Sequence, residues 1–69
     1  MEVRSVVIDW VTWKLEIMDT GEEKHVVPLD QRIQVTMVGY PDRETTTMRA
    51  SELGTYMSRG YIIEMIDVL

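Results

Sequence analysis

The run Val6-Val7-Ile8-Asp9-Trp10-Val11-Thr12-Trp13-Lys14-Leu15-Glu16-Ile17-Met18 constrains this chain more than any other segment. It carries both tryptophans, three residues apart, in a stretch whose β-branched and aromatic density reads as strand. Side chains alternate faces along a regular strand, so residues three apart point to opposite sides. Trp10 and Trp13 cannot both enter one core unless the strand is interrupted. A chain of 69 residues has little apolar mass to cover two faces, so one ring is expected to be left for a partner.

The alternation supports a mainly β reading. Residues 3–8 open with Val-Arg-Ser-Val-Val-Ile, and residues 11–18 place Val11, Trp13, Leu15 and Ile17 on one face against Thr12, Lys14 and Glu16 on the other. In that phase Trp13 belongs to the core, and Trp10 sits where the two stretches meet. A bulge or bend at Asp9-Trp10 would shift the phase by one and bring both rings to the same side. Residues 19–23 read as a turn, with Gly21 able to take positive φ. Strand follows over 24–27 and stops at Pro28, which lacks a ladder donor and suits an edge. Residues 29–31 connect to a second alternating run, 32–40, with Ile33, Val35 and Met37 on one face. Residues 39–43 (Gly-Tyr-Pro-Asp-Arg) form another turn, and threonine-rich 44–48 is the return strand.

One short helix fits the remainder. Ser51 suits an N-cap, Glu52 the positive first turn and Gly60 the C′ position. Ala50, Leu53, Tyr56 and Met57 make a narrow apolar stripe that must pack on the sheet, because a helix this short does not persist alone. Residues 61–68, rich in isoleucine, form the last strand. The expected fold is α+β in one domain, 1–69, ordered β-β-β-β-β-α-β. It is a small, twisted antiparallel sheet, barrel-like if it curls far enough, with the helix on one face.

Several function classes are disfavoured. Without cysteine there is neither a disulfide framework nor a cysteine-ligated zinc, and His25 is the only histidine. Asp19, Glu22 and Glu23 could hold a hard cation only weakly, since no EF-hand spacing is present. No nucleophile elbow or glycine-rich phosphate loop occurs, and the paired carboxylates Glu22/Glu23 and Asp42/Glu44 are read as lying in exposed turns. The chain therefore reads as neither an enzyme nor a cofactor carrier. Its apolar runs are far shorter than the ~20 residues that span a bilayer, and no signal-peptide pattern opens it, which points to the cytoplasm.

The net charge of −5 is uneven: residues 1–31 hold seven acids and three bases, residues 32–69 five acids and four arginines. An acidic total makes nucleic acid an unlikely partner, although Arg32, Arg43, Arg49 and Arg59 could form a basic face, and an acidic mimic of nucleic acid is a related alternative. Binding another protein is the favoured class, because aromatics and arginine dominate interface hot spots. The candidate residues are Trp10 as anchor, Asp9, Glu22 and Glu23 as an acidic rim, and Tyr40 and Arg43 at the second turn. Unpaired strand edges, the 61–68 strand above all, offer a second mode that would give a homodimer or an accessory subunit.

With its small size, acidity and lack of cysteine, the chain resembles the inhibitors that bacteriophages encode to block a host enzyme or defence component. Its opening, Met1-Glu2 followed by Val6-Val7 and Trp10, is similar to that of the phage antitoxin Dmd family over about ten residues. The resemblance implies an anti-defence inhibitor acting in the host cytoplasm; it carries no site residue and names no target.

Overall fold

The computed structural model describes residues 1–39 and 42–69. The elements are β1 (Val3–Asp9), β2 (Lys14–Asp19), β3 (Lys24–Pro28), β4 (Arg32–Val38), β5 (Arg43–Arg49), a 3-10 turn (Ala50–Glu52), α1 (Leu53–Ser58) and β6 (Ile62–Val68). The α+β class and the order β-β-β-β-β-α-β are those read from the sequence. The strands divide into two antiparallel three-stranded sheets, β1-β2-β3 and β5-β4-β6. An isolated antiparallel bridge, Glu2 to Met65, joins them along one side, so the sheets curl toward a barrel without closing it.

Both sheets turn one face into a shared core. Leu15 and Ile17 of β2, Val27 of β3, and Ile33, Val35 and Met37 of β4 are buried, with Met48, Ala50, Leu53 and Ile66 completing the cluster. The alternation of β4 is as expected: every second residue enters the core and Arg32, Gln34 and Thr36 face out. In the first sheet Ile8 pairs Leu15, which pairs Val27, and Val6 pairs Ile17, which pairs His25, giving two inward rows. A register shift between Val3 and Ser5 leaves Arg4 extra, so Val3 and Val6 pack on the core although they are three positions apart.

The irregular positions have identifiable causes. Thr36 pairs Met65 while Met37 pairs Ile63, leaving Glu64 as the extra residue of β6. The two bulged residues are both used in ion pairs, Arg4 with Glu22 and Glu64 with Arg43 at 3.1 Å. In the 20–23 turn it is Glu22, not Gly21, that takes positive φ (65°). Ser51 is not the helix cap: the 3-10 turn starts after Arg49, whose amide donates to Glu52 Oε2 at 2.8 Å. The helix ends as the sequence suggests, with Gly60 at φ 88°. Gly60 N donates to Met57 O (3.0 Å) and Tyr61 N to Tyr56 O (3.1 Å), the paired bonds of a Schellman motif. The edge-to-face rings of Tyr56 and Tyr61, centroids 5.6 Å apart, supply its apolar contact.

Strand edges are more protected than the sequence indicates. β6 is an edge strand of its sheet, but the backbone oxygen of Met1 accepts from Ile66 N (3.0 Å) and the Met1 amine donates to Ile66 O (2.9 Å). The edge strand β3 carries Lys24 and Pro28 at its two ends, residues that discourage added strands.

Candidate functional site

The largest departure from the sequence reading lies between β1 and β2. Residues 10–13 are not strand but the four-residue loop of a hairpin closed by the Asp9–Lys14 pair. Asp9 causes the reversal. Its Oδ1 accepts from Val11 N at 2.9 Å and Thr12 N at 3.1 Å, which offers these amides an alternative to a ladder. The Thr12 amide first, then the Val11 amide and the Thr12 side chain, hold the Asp9 carboxyl below its ordinary value. Trp13 ends the loop at φ 62°, a left-handed conformation that is uncommon for a bulky side chain.

Both tryptophans therefore leave the core. Trp13, expected inside with Leu15 and Ile17, is 53% exposed, and Trp10 is 56% exposed. The rings pack edge to face, centroids 5.6 Å apart and planes at 69°, with Val11 almost fully exposed between them in sequence. On the outward face of the same sheet, exposed Val7 and Val26 flank Glu16, whose carboxylate holds Lys24 at 2.9 Å. The hairpin is thus an acid-buttressed aromatic tip on a sheet whose outward Glu16 and Lys24 pair with one another.

The remaining candidate residues are dispersed. Glu22 and Glu23 lie in the turn at the far end of the six-residue β2, roughly 20 Å from the tryptophan loop at ~3.3 Å per residue, so they form no rim around Trp10. Arg43 opens β5 and is paired with Glu64. Tyr40 lies outside the described residues.

His25 and its neighbours are arranged for structure. Asp19 Oδ2 lies 2.8 Å from His25 Nε2, and Asp19 Oδ1 accepts from Glu23 N at 2.9 Å. The hydrogen bond from His25, then that from Glu23, hold the Asp19 carboxyl below its usual range. Asp19, Glu23 and His25 bring donor atoms within 4.8 Å of one another, but both Asp19 oxygens are already committed to folding the turn. Glu22, the third acid in the sequence reading of a cation site, turns away to Arg4.

The sequence signal for the tip was Asp9 itself, an aspartate two and three residues before amides it can accept, which ends a strand as effectively as a glycine turn. Comparison with protein-family models, with curated proteins and with solved structures finds no match to this chain. Among the described residues no helix is long and apolar enough to cross a membrane.

Proposed function

We propose that this chain is a protein-binding module whose anchor is the Trp10–Trp13 hairpin tip, acting as a phage-type inhibitor that occludes a host enzyme or defence component. The observation that carries the reading is that a small domain leaves both of its tryptophans more than half exposed, packed edge to face on one loop. Tryptophan is the residue most enriched in interface hot spots, and exposed aromatic pairs need a reason when the core beneath is thin.

Magnitude sets the size of the partner contact. Each ring still shows on the order of 100 Å², so covering both contributes roughly 5 kcal/mol at ~25 cal/mol per Å². Association costs about 4–15 kcal/mol in lost freedom, so the rings alone do not hold a partner. The interface must extend to Val11 and along the sheet toward Val7 and Val26.

The test is recovery of a tagged copy from its native cell, with the parent chain and Trp10→Ala and Trp13→Gly variants in parallel. A partner that co-purifies with the parent and is lost from both variants, while their thermal midpoints stay close to the parent's, supports the reading. A partner retained equally by both variants sinks it.

A further inference from the structure

The register of β4 and β5 sets Arg32 directly opposite Arg49. Both side chains are exposed and alternate with buried Ile33 and Met48, so they lie on the outward face of the sheet. Residues opposed in an antiparallel pair have Cβ atoms roughly 4.5–5.5 Å apart, where like charges repel. Among the described residues neither guanidinium takes part in an ion pair, whereas Arg4 and Arg43 both do. The two arginines thus face each other with no carboxylate paired to either guanidinium.

The next outward row continues the pattern. Gln34 stands opposite Thr47, adding an amide and a hydroxyl about 7 Å along the strands from the arginine pair. Two side-chain carboxylates border this patch, and the carboxyl of Leu69, whose amide donates to Arg32 O at 3.1 Å, lies beside Arg32 and accepts from Gln31 Nε2 at 2.8 Å. Glu52 Oε2 accepts from the Arg49 amide, and Asp67, across from Gln34 on β6, holds the Met1 amine at 3.1 Å.

We propose that Arg32, Arg49, Gln34 and Thr47 form a binding site for the phosphate dianion of a phosphomonoester. Charge matching selects this class. Two guanidiniums carry two positive charges, which a carboxylate or a phosphodiester half neutralises and a phosphomonoester, at about −1.5 to −2 near pH 7, nearly cancels. Guanidinium forks bind phosphate oxygens in bidentate fashion, and the neutral donors of Gln34 and Thr47 serve the oxygens that remain. Binding also replaces the Arg32–Arg49 repulsion with two attractions to a shared anion. The site is independent of the tryptophan tip, which belongs to the other sheet.

The experiment is a ¹H–¹⁵N NMR titration of the full chain with inorganic phosphate at pH 7.5, against sodium chloride at matched ionic strength and against acetate. The side-chain Nε–H signals of Arg32 and Arg49 and the amides of Gln34 and Thr47 are expected to shift to saturation, half-complete on the order of a millimolar. Arg32→Gln and Arg49→Gln should each raise the half-saturation concentration tenfold or more while preserving the remaining spectrum. If one variant fails to fold, the other gives the reading. Linear, non-saturating shifts, equal shifts in chloride, or variants that titrate like the parent overturn the site. Acetate binding as tightly as phosphate overturns the dianion assignment.

Discussion

The ring of Tyr61 lies so close against Gly39 that a Cβ on Gly39 would fall 2.6 Å from the ring Cδ1 and 2.8 Å from Cζ. The contact locks the start of β6 onto the end of β4 and holds the ring in place to meet Tyr56. Gly39→Ala should therefore cost about 1–3 kcal/mol, the usual penalty for overpacking a site that cannot yield. In Gly39→Ala/Tyr61→Ala the collision is gone, so the double variant should lose clearly less than the sum of the single losses. Denaturant unfolding of the four proteins checks this; strict additivity would mean that the ring moves aside freely.

Trp13 combines a strained backbone with an exposed ring, and the two effects oppose each other on substitution. Trp13→Gly relieves a left-handed conformation worth about 1 kcal/mol and forfeits an edge-to-face contact worth about 0.5–1.5 kcal/mol. The net change in stability should lie within about 1 kcal/mol of zero. Leu15→Ala, in the core two residues on, should by contrast cost about 2–5 kcal/mol. Thermal melts of the two variants side by side measure the difference.

The two depressed carboxyls give acid sensitivity a direction. A carboxylate whose folded-state value lies below its unfolded value, about 3.9, adds stability that is present above that pH. That stability disappears as pH falls through the folded value. Asp9 and Asp19 both behave this way, so the parent chain should lose stability as pH drops below about 4. Asp19→Asn should lower the midpoint at pH 7 and flatten its fall below about pH 4. A variant whose profile runs parallel to the parent's would remove Asp19 from the acid transition.

Gly60 at φ 88° is the left-handed end of the Schellman motif. Gly60→Ala should cost about 1 kcal/mol and Gly60→Asn less, since asparagine tolerates that region. No atom lies within 4 Å of an added Cβ, so the loss would report backbone conformation alone. Thermal midpoints of the two variants check the ranking.

What the sequence could reveal depended on whether a signal was carried by a face or by a single side chain. The apolar period of Ile33, Val35 and Met37 is a statement about a buried face, and the structure buries all three. The same logic extended from Leu15 and Ile17 back through Trp13 and Val11 fails. Asp9 ends the strand there with two hydrogen bonds that no apolar period registers. Ser51 and Gly21 failed for a related reason. In each case the residue best suited to the role by type stood next to one that geometry favoured, Glu52 reaching back to Arg49 and Glu22 taking the positive φ. The opposition of Arg32 and Arg49 depends on the length of the intervening turn, and the candidate arginine face read from composition carried no register.

Hydrogen bonds between Met1 and Ile66 join positions 65 apart in the chain, and this has a kinetic consequence. The β1-β2-β3 meander and the β4-β5 hairpin close only short loops, which form quickly and at low entropic cost. The bridge between the sheets must wait until nearly the whole chain has been gathered. Assembly therefore runs from two local hairpin units toward a late junction. The amide of Ile66 should acquire protection from solvent exchange after that of Val35, and surrender it first when the molecule opens.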